Sequence, residues 1–297
     1  MIIPEILCMC LKGLCGCQKI LEVDPSGEYE EDTEDTEEIQ SASRHHPDLN
    51  ITVYTTSIHG FFNNDSFSTI LKSFANVKIS KIDVETAVNG TPIEKWVAGN
   101  FWRYSDFLTE HISDIIRYAI LWKQGGVYLD LDNIVLRDMS NLTNCAARDD
   151  ENQVTNAVLI FSPQNKIISE CMRLLPKQWT GQVFAEIGSN LITKVFKEVC
   201  RTDNLNGTTR EMCEGSRLLP SKSFYVVPWK DWSYLFHRYW TESLLEEIIK
   251  HKSYSVHFYN KISKKRIVKF NSFSLIEVLA KNHCPKVYAE AKRLGKF

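Results

Sequence analysis

Gly125-Gly126-Val127-Tyr128-Leu129-Asp130-Leu131-Asp132 is the stretch on which the fold turns. It reads as a helix stop, then an apolar strand, then two carboxylates two residues apart at the end of that strand. A strand rises roughly 3.3 Å per residue and alternates its faces. Tyr128, Asp130 and Asp132 therefore project to one side, and Val127, Leu129 and Leu131 to the other. Carboxylates that converge in this way suit Mg²⁺ or Mn²⁺, with the oxygens of a phosphorylated substrate completing the metal's shell. Acidic pairs are also frequent at turns, so a bare Asp-x-Asp decides little and its surroundings carry the weight.

Upstream, Leu108, Ile112, Ile115, Ile116, Ala119 and Trp122 recur at spacings of three and four, predicting one helix over 105–124. Asp114, Arg117 and Tyr118 fall off that stripe and share a second face, because positions three and four apart are neighbours on a helix. Gly125-Gly126 ends the helix and turns the chain into the strand. The order helix, Gly-Gly, Asp-x-Asp brings Asp114, Arg117, Asp130 and Asp132 to one end of a sheet. In an open α/β sheet that crevice is where ligands bind. The bland alternative is a surface Asp114–Arg117 pair worth well under ~1 kcal/mol and an ordinary loop carboxylate pair.

The remaining periodicities predict strands at 19–23, 51–55 and 77–82, with helices at 39–45, 65–74 and 93–98. This βαβα alternation implies a largely parallel sheet. After the carboxylate strand the pattern becomes α+β, with a strand at 157–161, helices at 167–175 and 191–200, and a strand at 256–259. Aromatic residues crowd between Trp229 and Trp240. Such rings can stack on sugar faces or simply fill a core, and Trp229 and Trp232 are the acceptor-site candidates among them.

A chain of 297 residues with 43% hydrophobic content can bury a sizeable core. Net charge is −2, but ten acids and no bases lie between Glu22 and Glu38, leaving a body with 35 basic and 27 acidic residues. The excess is scattered, which argues against a nucleic-acid partner, and the acidic run reads as a solvated loop. Cys8, Cys10, Cys15 and Cys17 open the chain. Their spacing is too close for a usual structural zinc site; a palmitoylated or a merely structural cluster is the other reading. Acceptor sequons at Asn50, Asn64, Asn89, Asn141 and Asn206 point to a lumenal compartment. A second metal's worth of His and Asp residues, which a metal-dependent phosphohydrolase would normally show, is missing.

Several segments together resemble a known family. Ser113-Asp114-Ile115-Ile116-Arg117-Tyr118, the Gly125–Asp132 run and Ile134-Val135-Leu136 look like the DXD-containing sugar-binding region of retaining glycosyltransferases. Asn156-Ala157-Val158-Leu159-Ile160-Phe161, Gly188-Ser189-Asn190-Leu191, Pro228-Trp229-Lys230-Asp231-Trp232 and His257-Phe258-Tyr259-Asn260-Lys261 follow in the order of the α-1,4-glycosyltransferase family. That family includes lactosylceramide α-1,4-galactosyltransferases and related N-acetylhexosaminyltransferases.

The resemblance, which covers roughly residue 41 to the C-terminus, implies a GT-A-like, nucleotide-sugar-binding (Rossmann-like) α/β fold. Its mixed sheet is flanked by helices and followed by an α+β C-terminal acceptor half. The segments expected are an atypical N-terminal region (1–40), a nucleotide-sugar-binding region (41–150) and an α-1,4-glycosyltransferase region (151–297). It implies Mn²⁺ or Mg²⁺ on Asp130, Asp132 and His257, and a donor that is UDP-galactose, UDP-N-acetylgalactosamine or UDP-N-acetylglucosamine. Asp114, Arg117, Tyr118, Asn156, Ser189, Asn260 and Lys261 would face that donor, with Asp114, Arg117, Asp130 and Asp132 as the catalytic set. Glu186, Trp229 and Trp232 would meet a glycolipid or glycan acceptor, and Cys200 and Cys213 would pair in an oxidising lumen. The family also implies a Golgi membrane enzyme with an N-terminal hydrophobic anchor. Residues 1–17 are apolar but interrupted by Glu5 and Lys12, short of the ~20 apolar residues that span a bilayer. The family's first strand and nucleotide turn have only a loose counterpart at 20–26. A truncated, catalytically impaired relative that binds sugars or partners is therefore the alternative reading.

Overall fold

Hydrogen-bonding demand and the alternation of apolar strands with amphipathic helices organise the chain around one mixed sheet. The computed structural model describes residues 6–9, 33–55, 66–149, 153–263 and 265–295. The strand expected at 19–23, the turn at 20–26, Cys10, Cys15, Cys17 and Asn64 lie outside them.

The first half runs β1 (Ile6–Met9), α1 (Thr33–His45), β2 (Ile51–Thr55), α2 (Ser66–Lys72), β3 (Val77–Lys81), α3 (Val84–Val88), α4 (Glu94–Ala98) and α5 (Leu108–Gln124), then β4 (Gly126–Asp130), β5 (Asn133–Val135) and β6 (Cys145–Arg148). The second half runs β7 (Val154–Phe161), α6 (Lys166–Gln178), α7 (Ser189–Cys200), β8 (Arg217–Leu219), α8 (Arg238–His251), β9 (Ser255–His257), α9 (Asn260–Ser263), α10 (Leu275–His283) and α11 (Pro285–Leu294). The seven-stranded sheet has the order β3-β2-β1-β4-β7-β6-β8, and β5 pairs with β9 in a separate ribbon. Strands β1 to β4 are mutually parallel, β7 runs antiparallel to both β4 and β6, and β8 is parallel to β6. The sheet is thus mixed, as expected, and the anticipated division at residue 150 falls between β6 and β7, which are hydrogen-bonded neighbours in it.

Two differences from the sequence reading concern the N-terminal region. A central strand occupies Ile6–Met9, paired on both sides with Ile51–Tyr54 and Val127–Asp130, inside the stretch read for its cysteines and its missing anchor. The acidic run, read as a solvated loop, enters α1 at Thr33, and Glu37 and Glu38 are buried.

Side-chain alternation in β4 distributes its residues between two cores. Val127 and Leu129 pack with Ile39 and Ala42 of α1 and Val53 of β2, whereas Tyr128 packs with Ile115, Ile116 and Ala119 of α5. A third core joins Ile134 of β5 and Val256 of β9 to Leu275, Leu279 and Val287 of α10 and α11. Gly125 closes α5 at φ +68°, and a Cβ there would lie 2.6 Å from Pro163 Cδ and 2.8 Å from the Phe161 carbonyl oxygen. Both the backbone conformation and the close approach of the β7 turn require glycine. Helix α5 starts at Leu108 rather than 105, because Phe101–Tyr104 form a separate 3₁₀ turn ahead of it. Cys200 and Cys213 are joined by a disulfide that closes the loop after α7.

Candidate active site

Helix α5 is apolar on the face toward α3 and α6, yet its second face is buried as well. Asp114 and Arg117 are each only 5% exposed, which excludes the solvated surface pair. A buried charge must be paired and hydrogen-bonded on all sides. Arg117 meets that demand with its whole fork. Nε lies 3.3 Å from Asp114 Oδ1, Nη1 lies 3.3 Å from Asp130 Oδ1 and donates to the Asn156 carbonyl at 2.6 Å, and Nη2 donates to Ser113 Oγ at 2.7 Å. The guanidinium also sits 4.6 Å above the Tyr128 ring, while the Tyr128 hydroxyl donates to Asp130 Oδ1 at 2.6 Å. Burial opposes the Arg117 charge, but Asp130, Tyr128 and Asp114 more than offset it and hold the group protonated above the ordinary arginine range.

Asp130 ends β4, and the chain turns at 131–132 before β5. Asp132 therefore reaches the site through a turn and not, as strand alternation had predicted, from the next position on the same face. The turn is fixed by the second half of the chain: the Asp132 carbonyl accepts from Phe258 N at 2.7 Å, and Oδ2 accepts from Asn260 N at 2.9 Å. Pairing of β5 with β9 sets Asn133 opposite His257, whose Nε2 comes within 3.0 Å of Asp132 Oδ1. Tyr259 N donates to His257 Nδ1 at 3.2 Å, and the rings of Tyr225 and Tyr259 pack edge-on against the imidazole.

One ligand atom each from Asp130, Asp132 and His257 lies within 4.8 Å of the others, a spread that one divalent ion can gather. Two carboxylate oxygens, fixed from behind by Tyr128 and the Asn260 amide, and an imidazole nitrogen are a suitable donor set for Mn²⁺ or Mg²⁺, the imidazole joining once Nε2 gives up its proton. The protonation states differ across the cluster. Burial raises Asp130 despite the pull of Arg117. Burial also works to raise Asp132, but His257 and the Asn260 amide outweigh it and keep it below the usual carboxylate range. Burial would lower His257, and the neighbouring Asp132 reverses that and raises it.

Beside the triad, Asn156 on β7 donates from Nδ2 to Asp114 Oδ1 at 2.6 Å and accepts Ser189 Oγ on its Oδ1 at 3.0 Å. Burial, against the pull of Arg117, pushes Asp114 up to about 7. Tyr118 does not share the open face expected for it. It is fully buried, and its hydroxyl donates 3.3 Å to the Gly188 carbonyl, so it braces α7. Lys261 projects outward to an ion pair with Glu110 of α5, lying 5.1 Å over the Phe184 ring. Asn260 reaches the cluster through its backbone N–H. Glu186 is buried, and its carboxylate accepts from Thr180 N, Thr180 Oγ1 and Gly181 N, which fastens a loop. Trp229 is 46% exposed, whereas Trp232 packs edge-on against Phe236. Tyr234, Phe236 and Trp240 belong to the third core.

The sequence reading missed Ser113 and Gly188 as parts of this constellation. Ser113 carried a signal, since it lies four residues before Arg117 on the same helix.

Comparisons with known proteins identify the family. Residues 160–291 match the alpha 1,4-glycosyltransferase conserved region, and residues 32–151 match the glycosyltransferase sugar-binding region containing DXD motif. The lactosylceramide 4-alpha-galactosyltransferase of Homo sapiens is 30% identical over 86% of this chain and 72% of its own length. The alpha-1,4-N-acetylglucosaminyltransferase of Homo sapiens is 25% identical over 85% of this chain and 74% of its own. Among solved structures, the galactosyltransferase LgtC in complex with donor and acceptor sugar analogs aligns over 96% of this chain and 95% of its own with 10% identity and a TM-score of 0.46. The match to the DXD-containing sugar-binding region, with the Asp-x-Asp pair at the carboxyl end of the central strand β4, and the 30% identity to a curated galactosyltransferase make the protein a glycosyltransferase. Within that class, the chain belongs to the α-1,4-glycosyltransferase family.

Proposed function

We propose that this glycosyltransferase moves a hexose from UDP-galactose, UDP-N-acetylgalactosamine or UDP-N-acetylglucosamine, in α-1,4 linkage and with retention of configuration, to a glycolipid or glycan acceptor. The observation that carries the reading is the convergence of Asp130, Asp132 and His257 beside the buried Asp114–Arg117 pair. A divalent ion held by the first three would bridge the donor's diphosphate and act as a Lewis acid toward the departing UDP. Asp114, fixed by Arg117 and Asn156, would accept hydrogen bonds from donor-sugar hydroxyls. Arg117 is engaged on every side, so its work is to hold Asp114 and Asp130 in place.

Every carboxylate beside the donor space already has partners: Asp114 has Arg117 and Asn156, Asp130 has Arg117 and Tyr128, and Asp132 has His257 and Asn260. In this reading these carboxylates serve the metal and the donor hydroxyls, and none of them has the role of covalent nucleophile. This supports attack by the acceptor hydroxyl on the face that UDP leaves, with the departing phosphate taking the proton. Exposed Trp229 is the acceptor-side ring of choice. The Cys200–Cys213 disulfide and the exposed sequon residues Asn50, Asn89, Asn141 and Asn206 support a Golgi-lumenal setting. Among the described residues, no helix is long and apolar enough to cross a membrane.

The test is transfer from each UDP-hexose to lactosylceramide and to soluble glycan acceptors, with Mn²⁺ or with chelator, for the full chain and for Asp132→Asn. Metal-dependent product that falls by about a hundredfold or more in Asp132→Asn supports the reading, a loss of the size seen when an electrostatic catalytic group is removed. Transfer that persists in Asp132→Asn refutes it. Folded protein with no transfer to any acceptor points to the impaired relative.

A further inference from the structure

We propose that the exposed face formed by the 3₁₀ turns of Trp229–Phe236, the start of α8 and the segment 265–273 docks onto a negatively charged lipid bilayer. Docking there sets the site against the surface that carries a glycolipid. The docking stands on these residues alone, and its use in transfer rests on the reading of the acceptor as a glycolipid.

Part of the basic excess that is spread along the sequence meets on this face. Residues 260–273 hold five basic residues and no acid. Lys230, Arg238, Lys265, Arg266 and Lys269 are all exposed, against the two acids Asp231 and Glu242 on the turn and the start of α8. Lys166, Arg173 and Lys261 elsewhere are held in ion pairs, but none of these five cations has one among the described residues. Three of them lie over rings instead: Lys230 at 5.7 Å from the Trp229 centroid, Arg238 at 4.9 Å from Phe273 and Arg266 at 5.7 Å from Trp232. Between the bases, Tyr239 is 85% and Ile267 80% exposed, and Trp229 and Phe273 are about half exposed. Rings and aliphatic groups beside lysine and arginine suit a membrane–water boundary, where the apolar parts enter the headgroup layer and the cations meet acidic headgroups. Ile267 offers no flat face on which a sugar or a base can stack, which favours a lipid over a glycan or a nucleic acid.

The fold holds these side chains outward. Phe273 sits at φ +57°, a left-handed conformation that a bulky residue rarely adopts. It is fixed there from both sides, its N–H donating to Glu277 Oε2 at 2.7 Å and its carbonyl accepting from Thr241 Oγ1 at 2.8 Å. Val268 is buried in the third core and Phe270 packs edge-on against Tyr288, so the segment is fastened on both sides of Lys269 while Ile267 stands out. The face also begins beside the carboxylate–imidazole cluster. The segment leaves α9, whose Asn260 N–H donates to Asp132, and the Tyr259 hydroxyl donates at 2.7 Å to the carbonyl of Val227, two residues before Trp229.

The experiment measures co-sedimentation of the full chain with vesicles of phosphatidylcholine alone and of phosphatidylcholine mixed with phosphatidylserine, at low and high salt. The parent should bind the mixed vesicles at least about tenfold more tightly than the neutral ones and lose most of that preference at high salt. Ile267→Ser with Tyr239→Ser should weaken binding to mixed vesicles roughly tenfold or more, as for two apolar side chains left in water. Lys265→Gln with Lys269→Gln should weaken it about twentyfold, since each base near an anionic surface is worth about a fivefold change. All four positions are exposed, so both variants should keep the parent's unfolding temperature and its transfer to a soluble glycan acceptor, and lose transfer to glycolipid embedded in mixed vesicles. Equal affinity of the parent for neutral and mixed vesicles would overturn the inference. So would unchanged vesicle affinity in the Ile267→Ser, Tyr239→Ser variant, because charge alone, as in adsorption to any polyanion, would then account for binding. The expected vesicle pattern without transfer to any acceptor would leave the docking standing and overturn the reading of the function.

Discussion

At the scale of single residues, the site depends on how charge is distributed in a small dry volume. Arg117 is shared by Asp114 and Asp130, while His257 serves Asp132, so the acids are held by different cations. This arrangement predicts a pH effect with a definite sign. Asp114 is pushed up to about 7 by burial, so between the unfolded carboxylate range and that value the folded chain binds the extra proton. The contribution of Asp114 to stability therefore falls as pH rises from about 4 to about 7 and levels off above it. Asp114→Asn, which mimics the protonated acid, removes this component. Thermal unfolding of both chains between about pH 5 and pH 8 should show the variant gaining on the parent as pH rises, and parallel curves would refute the assignment. Asp114, Arg117 and Asp130 are legible because helix periodicity and a glycine stop fix where such residues face, whereas strand alternation places Asp132 on a strand that ends before it. His257 and Asn156 are not legible, since their approach depends on pairings 124 and more residues apart in some cases and no local pattern records them; the family resemblance alone points to them. Gly188 stands in a segment that resembles the family, but no local pattern records that its backbone comes too close to Asp114 and Asn156 for a side chain.

At the scale of elements, the chain announces those that satisfy themselves locally. β2 falls at Ile51–Thr55, the residues its alternation predicts, and α5, α6 and α7 differ from expectation only at their ends. β6, with Cys145-Ala146-Ala147-Arg148, and the three-residue β8 lack the β-branched content that marks a strand; β6 forms on the edge that β7 offers, and β8 in turn on the edge of β6. β1 is four residues long beside Glu5, and only its two parallel neighbours make it a strand. Asp132 was assigned to a strand that stops at Asp130, because the contacts that turn the chain come from β9 and α9. The disulfide after α7 gives an element-scale prediction. Its cysteines are 13 residues apart, and closing such a loop stabilises a fold by about 3 kcal/mol on a chain-entropy account. Cys200→Ser with Cys213→Ser should lower the urea midpoint accordingly and leave UDP-sugar affinity in the surviving folded fraction unchanged. An unaltered midpoint would show that the loop is held by other means.

At the scale of the whole molecule, the site exists only when both halves of the chain are present. The Asp-x-Asp carboxylates come from the end of β4 and the turn after it, and the imidazole comes from β9, aligned by a ribbon that lies apart from the main sheet. The donor-side pair hangs from α5 but is held by β7 and α7. β6 and β7, one from each half, are hydrogen-bonded neighbours in the sheet. The most direct measurement of the central claim is a thermal-shift titration of the full chain with UDP-hexoses, with and without Mn²⁺, alongside Asp132→Asn. A ligand that binds only the native state raises the unfolding temperature by mass action. The account predicts stabilisation by at least one UDP-hexose that requires the metal and disappears in Asp132→Asn; metal-independent stabilisation, or none in folded protein, would contradict it.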